Sequence, residues 1–136
     1  MQPAPTEHRM DIRVRYAEVD RMGAVHHSRI WVYLEMGRTE LLRAAGVNYA
    51  ELEAAGVFFV VARCWAKYHS PARYDEVVTL ITRITKMGAA KIDHEYELRG
   101  PDGRLIATAG TMLACVNRSG QIIPIPPFVH GRPAAD

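Results

Sequence analysis

The sequence predicts an α+β domain in which one long helix is enclosed by a largely antiparallel sheet. Three observations carry this. Residues 29–45 hold a single long helical pattern, four β-patterned segments follow it at 58–68, 76–87, 91–99 and 105–116, and turn-forming residues separate the later segments at 100–103 and 117–120. With a first strand ahead of the helix, the expected sheet has about five strands.

The elements follow in order. Residues 9–17 alternate, Ile12, Val14 and Tyr16 against Arg13 and Arg15, as a strand with one wet face does. A non-periodic stretch, 18–27, contains Gly23 and leads to Ser28, a residue type suited to a helix N-cap. At 100° per residue, Arg29, Glu40 and Arg43 fall on one narrow arc, opposite Ile30, Leu34, Gly37, Leu41, Ala44 and Ala45. Trp31, Val32, Tyr33 and Met36 widen the apolar side, so this helix is expected to be mostly enclosed. Gly46 stops it, and residues 49–55 form a short second helical piece before Gly56.

The remainder is strand after strand. Residues 58–68 are rich in Val, Phe and Trp, 70–75 form a turn or loop, and Gly88 marks a bend after 76–87. Residues 91–99 alternate, with Ile92, His94, Tyr96 and Leu98 on one face. Residues 105–116 are apolar or small on both faces, as in a strand covered on both sides. The tail from Pro124 cannot pair regularly.

Composition narrows the function classes. The chain has 136 residues, a length typical of one domain (1–136, with an ordered core of about 9–128), and 49% of them are hydrophobic, which excludes disorder and collagen. A formal charge of +2, with cations and acids interleaved, gives no basic face for nucleic acid. Cys64 and Cys115 lie in apolar runs and are too few for a disulfide framework. The opening residues carry no apolar leader and no run is long enough to span a bilayer, so no membrane insertion and a cytoplasmic location are expected.

Asp20 lies in a Gly-containing loop just ahead of the helix, near backbone N–H groups and the positive end of the helix dipole. It reads either as a loop or capping residue, or as a general base or nucleophile facing a carbonyl that the helix start polarises. His26 and His27 are adjacent and lack zinc spacing, so no metal site is expected. His27 would position a substrate or water, or donate to backbone. Glu35 and Arg38, three residues apart, read as structural, an ion pair or a backbone satisfier at a packed edge, with a catalytic Glu35 as the rival. His94 reads as a satisfied core or interface histidine. Arg73, Lys86 and Lys91 are either solvated charges or phosphate holders for a nucleotide-tailed substrate. No glycine-rich dinucleotide or P-loop motif is present.

The run Arg15-Tyr-Ala-Glu-Val-Asp20-Arg-Met-Gly23-Ala-Val-His-His27, entering Ile30-Trp-Val-Tyr-Leu-Glu-Met-Gly-Arg-Thr-Glu40-Leu-Leu-Arg43, resembles the hot-dog-fold acyl-CoA thioesterases. More narrowly it is similar to the 4-hydroxybenzoyl-CoA thioesterase family and its Tol–Pal-associated relatives. The run Tyr68-His-Ser-Pro-Ala-Arg-Tyr-Asp75 resembles that family's loop between its second and third strands. The resemblance covers about residues 9 to 128 and implies a long helix wrapped by a curved antiparallel sheet. It further implies dimerisation through sheet edges, with active sites between subunits.

By resemblance, Asp20 is the catalytic carboxylate, nucleophile or base, and Gly23 lets the loop pass close to the substrate. His27 supplies the helix-start N–H that polarises the thioester carbonyl. Two positions depart from the pattern: His26 stands where relatives are commonly aromatic, and Ile30 where Tyr is frequent. His26, Ile30 and residues 58–60, Val60 among them, are expected to shape the acyl pocket.

The expected function is hydrolysis of acyl-CoA to free acid and CoA, with no cofactor beyond the CoA of the substrate. The rivals are an acyl-thioester hydratase or dehydratase, for which His27 or His94 would supply the base, and a non-catalytic acyl-CoA binding module. So short a chain has little material to surround a substrate. A homodimer, or a dimer of dimers, is expected to complete the site.

Overall fold

The computed structural model describes residues 4–130. It contains β1 (Glu7–Arg13), α1 (His27–Ala44), α2 (Tyr49–Ala54), β2 (Phe58–Tyr68), β3 (Val77–Met87), β4 (Lys91–Arg99) and β5 (Leu105–Val116). Short 3₁₀ turns occupy Tyr16–Glu18 and Pro127–His130. The sheet is five-stranded and antiparallel throughout, in the order β1-β3-β4-β5-β2. This is the expected α+β architecture, with α1 lying against β1 and β3. No helix among the described residues is long and apolar enough to cross a membrane.

The strand periodicities are realised closely. The 91–99 and 105–116 segments form β4 and β5 with those limits, and Ile92, His94, Tyr96 and Leu98 all face the core. The first strand differs. Alternation continues to Tyr16, but backbone pairing stops at Val14, whose N–H donates to Glu76 O (2.9 Å); the Arg15 N–H donates instead to Glu18 Oε1 (2.8 Å) and the chain turns. Tyr16 is therefore exposed rather than aligned with Ile12 and Val14.

The helix start differs too. His26, not Ser28, is the N-cap: its backbone is extended, and its Nδ1 accepts from the Ser28 N–H at 3.3 Å. Nor is α1 mostly enclosed. Ile30, Tyr33, Leu34, Gly37 and Leu41 are buried, while Val32 and Met36 remain exposed. The apolar girdle is wider than one sheet face can cover.

Gly37 sets how closely α1 approaches the sheet. A Cβ there would stand 2.6 Å from Leu80 Cδ2 on β3, and nearer still to Thr82 Oγ1. Gly37→Ala is expected to destabilise the fold by about 1–3 kcal/mol, the usual cost of overpacking, read as a lowered thermal midpoint.

The core has two parts. One, around Tyr33, Leu34, Leu80, Tyr96 and Leu98, lies under the first half of α1; the other, around Val47, Leu52, Ile92, Cys115, Ile125 and Val129, lies by α2 and the C-terminal turn. Cys115 is buried as expected, whereas Cys64 is exposed on β2. His94 is only 5% exposed, yet its Nδ1 has no hydrogen-bond partner among the described residues, so it is a core histidine that is not satisfied.

Burial pushes the His94 imidazole down to about 4, with the Arg38 charge acting in the same direction. The folded protein therefore holds this ring neutral where the unfolded chain would protonate it. Stability from this group is complete above the ordinary value of about 6.5 and is lost as pH falls from there toward 4. Thermal midpoints should decline across that window, and His94→Leu should flatten the decline.

Candidate active site

The stretch that sequence reading leaves non-periodic is a tight hairpin. Asp20 N–H donates to Ala24 O (2.8 Å), Val19 pairs with Val25, and His26 N–H donates to Glu18 O (2.9 Å). Asp20 therefore sits near the tip of a ladder whose other limb runs directly into α1. At the tip Gly23 has φ +78°, a left-handed conformation that glycine adopts without strain.

Asp20 is exposed, and its carboxylate is fixed by its own loop. Oδ1 accepts from Met22 N–H (2.8 Å) and Ala24 N–H (3.3 Å). This Asx-type arrangement holds the side chain in one orientation and leaves Oδ2 without a partner among the described residues. The capping reading of Asp20 is thus realised only within its own loop: the helix cap is His26.

The cap fixes the orientation of the His26 ring. Ser28 N–H and Ser28 Oγ (2.8 Å) both meet Nδ1, and a backbone N–H can only donate. Nδ1 is therefore the accepting nitrogen of this cap. At the next position, the His27 N–H has no acceptor among the described residues. It is the first amide of an 18-residue helix, where unpaired N–H groups and the helix dipole together favour a developing negative charge.

Behind this loop lies a buried clamp. Glu18 is 3% exposed and accepts from Tyr33 Oη (2.8 Å) on α1 and from the Arg15 N–H. Burial alone would raise the Glu18 carboxyl. The bonds from Arg15 and Tyr33 outweigh burial and hold it below the ordinary glutamate range. Burial and the Glu18 carboxylate push the Tyr33 phenol well above its usual range. The limb that carries Asp20 is thereby tied to the helix that carries the His27 amide.

A second support comes from residues 70–75. Val25 N–H donates to Ala72 O (2.8 Å), and Arg73 Nη1 reaches Met22 O (3.3 Å), placing the Arg73 guanidinium on the Asp20 loop. Arg104 pins this support through Glu76 (2.7 and 3.0 Å) and Pro71 O (2.9 Å). That pairing holds the Glu76 carboxyl below its ordinary value.

Asp20, Gly23, His26, His27 and Arg73 are therefore brought together. Lys86 and Lys91 share a small groove at the β3–β4 hairpin, but at the far end of the sheet. The nine residue steps from Val77 to Lys86 along β3 span about 30 Å. Val60 is half exposed on the edge strand β2, whereas Ile30 is 3% exposed and packs in the core with Tyr33 and Leu34. Glu35 and Arg38 do not form the expected ion pair, and neither has a salt-bridge partner among the described residues.

Sequence reading missed three features here. The Glu18–Tyr33 clamp spans 15 positions across a loop of unknown shape. Tyr68 donates to His27 O (3.4 Å), and its ring stands edge-on to the His27 ring. Tyr16 and Tyr74 pack edge to face beside the loop while remaining largely exposed. Only the Glu18 position carried a signal: a carboxylate two residues before Asp20 in an otherwise apolar approach.

The pattern of the thioesterase-like superfamily matches residues 14–132. The acyl-CoA thioester hydrolase YbgC of Escherichia coli O6:H1 is 30% identical over 109 residues, covering 80% of this chain and 81% of that protein. Among solved structures, a hypothetical protein, TT1821 from Thermus thermophilus, is 37% identical with a TM-score of 0.85, covering 90% of this chain and 93% of that one. A DHNA-CoA thioesterase from Staphylococcus aureus is 27% identical with a TM-score of 0.84, covering 87% of this chain and 80% of that one.

Proposed function

Because the chain belongs to the thioesterase-like superfamily, we propose that it hydrolyses acyl-CoA thioesters to the free carboxylic acid and CoA. The observation that carries this reading is the unpaired His27 N–H at the start of α1, on the same hairpin ladder as an oriented Asp20 carboxylate.

The chemistry follows from that pairing. The thioester oxygen accepts from the His27 N–H, so charge developing on it meets a fixed donor and the positive end of the helix. Asp20 takes a proton from water through its free Oδ2 as the water oxygen bonds to the carbonyl carbon. The tetrahedral intermediate collapses, the C–S bond breaks, and the CoA thiolate leaves with the proton from Asp20. In the nucleophilic variant, Oδ2 itself bonds to the carbon, the C–S bond breaks and the CoA thiolate leaves, and water then cleaves the mixed anhydride to the free acid and the Asp20 carboxylate, with the proton released passing to the thiolate. Neither route needs a metal. Arg73, whose guanidinium reaches Met22 O of the Asp20 loop (3.3 Å), is the residue we assign to substrate phosphate in the same chain.

Lys86 and Lys91 reach such a substrate only from a second copy. The edge strand β2, with exposed Val60, Val61 and Trp65, and the uncovered Val32 and Met36 of α1 give a homodimer an apolar surface. We carry the homodimer, the 4-hydroxybenzoyl-CoA thioesterase kinship and the cytoplasmic location as parts of this proposal.

The deciding experiment measures thiol release from short, long and aromatic acyl-CoAs. Saturable release on at least one of them is expected. Loss of an enoyl-thioester double bond without thiol release would instead make the protein a hydratase. Tight binding without turnover would make it a binding module.

A further inference from the structure

The edge strand β2 ends on Tyr68, paired with Ala107 of β5, and the chain just beyond it is anchored. The N–H groups of His69 and Ser70 both donate to Ile106 O (2.8 and 3.2 Å), and Ser70 Oγ donates to Leu105 O (2.7 Å). From that fixed point the Tyr68 side chain crosses to the start of α1. Its hydroxyl donates to His27 O (3.4 Å), 41 positions earlier in the chain. Its ring stands edge-on to the His27 ring, with centroids 6.4 Å apart and planes at 78°, within the range that aromatic pairs favour.

Packing does not account for this residue. Tyr68 is half exposed and belongs to neither core cluster, so it meets His27 without filling the interior. Partial burial pushes its phenol above the ordinary value, with Cys64 on the same strand acting in the same direction. The hydroxyl therefore keeps its proton and stays a donor.

We propose that Tyr68 is a positioning residue for thioester hydrolysis, holding the first helical peptide so that the His27 N–H stays aimed at the thioester oxygen. The hold acts on one peptide unit. Its carbonyl, that of His27, accepts from Tyr68, while its N–H, that of Ser28, donates to His26 Nδ1 (3.3 Å). Side chains thus grip this peptide at both ends, and only the His27 Cα separates it from the His27 N–H. A donor already oriented stabilises developing charge without reorganising in each turnover. Residues 68–72 meet the same stretch at a second point, where Val25 N–H donates to Ala72 O (2.8 Å). The role in turnover rests on the hydrolase reading; the hold on His27 does not.

The test pairs two measurements on the parent protein and on Tyr68→Phe, which deletes the hydroxyl and keeps the ring. In thiol release, kcat is expected to fall about two- to tenfold, the size of one neutral hydrogen bond, with KM and the thermal midpoint at parental values. In backbone amide relaxation by NMR, the His27 order parameter is expected to drop below about 0.85, the value of rigid backbone. Asp20, whose N–H is held by Ala24 O, should keep its order. Tyr68→Leu, which removes the ring contact as well, should lower both kcat and His27 order further.

Parental order at His27 in Tyr68→Phe overturns the proposal, and so does a loss confined to KM. Disappearance of an alkaline limb from the pH profile of kcat in Tyr68→Phe also overturns it, since Tyr68 would then carry a proton in the reaction. A parent protein that releases no thiol from any acyl-CoA removes the hydrolase reading instead. In that case, lost order at His27 leaves the hold by Tyr68 standing, and parental order removes it too.

Discussion

Asp20→Asn is expected to lower the turnover number for acyl-CoA hydrolysis by about 10²–10⁴, the range that a positioned general base contributes, with thermal melting unchanged. The geometry makes this substitution clean. Asparagine keeps an oxygen to accept from Met22 and Ala24 N–H, so the loop holds its shape while the basic oxygen is lost. Asp20→Ala removes the acceptor as well, and should lower the melting temperature in addition to the rate. The measurement is thiol release under saturating substrate, paired with a thermal scan. An Asp20→Asn protein with parental turnover would take Asp20 out of the mechanism.

Glu18→Leu is expected to lower stability strongly while leaving Asp20 and His27 in place. It strands the Tyr33 hydroxyl in the core and the Arg15 N–H at the turn, two groups whose loss of partner costs on the order of 2–4 kcal/mol together. The hairpin limb that carries Asp20 also loses its tie to α1, so turnover should fall in the folded fraction. Adding Tyr33→Phe removes one stranded group and should restore part of the stability, and the double-mutant cycle measures the coupling directly.

The same clamp has a pH signature. Glu18 titrates lower in the folded protein than in the unfolded chain, so its stabilisation is complete above the ordinary glutamate value and is lost as pH falls below it. In Glu18→Leu that acid-side loss should disappear, while the decline at higher pH that belongs to His94 remains.

How far the sequence could be read depended on what kind of information each feature needs. Period-2 alternation in 91–99 and the continuous apolar run in 105–116 are local signals, and β4 and β5 formed with those bounds. The start of α1 was misplaced because Ser28 is the stronger capping residue by type, yet the hairpin delivers His26 in the extended conformation that a cap requires. Helical spacing brings Glu35 and Arg38 within reach of each other, yet no ion pair joins them among the described residues. His94 was placed on the correct face, but its missing partner depends on what lies across the core.

The sequence by itself determined the element order, the antiparallel α+β class and the Asp20–Gly23–His27 run ahead of one long helix, since each depends on residues near one another in the chain. Only the tertiary structure decided that Arg73 joins the Asp20 loop while Lys86 and Lys91 lie at the far end of the sheet, and that Glu18 and Tyr33 bind loop to helix. It also decided that Ile30 is core, and that His94 Nδ1 lies buried without a partner among the described residues. Those outcomes turn on strand length, register and the closeness of helix to sheet at Gly37, which are set by contacts between distant segments and carry no local periodicity.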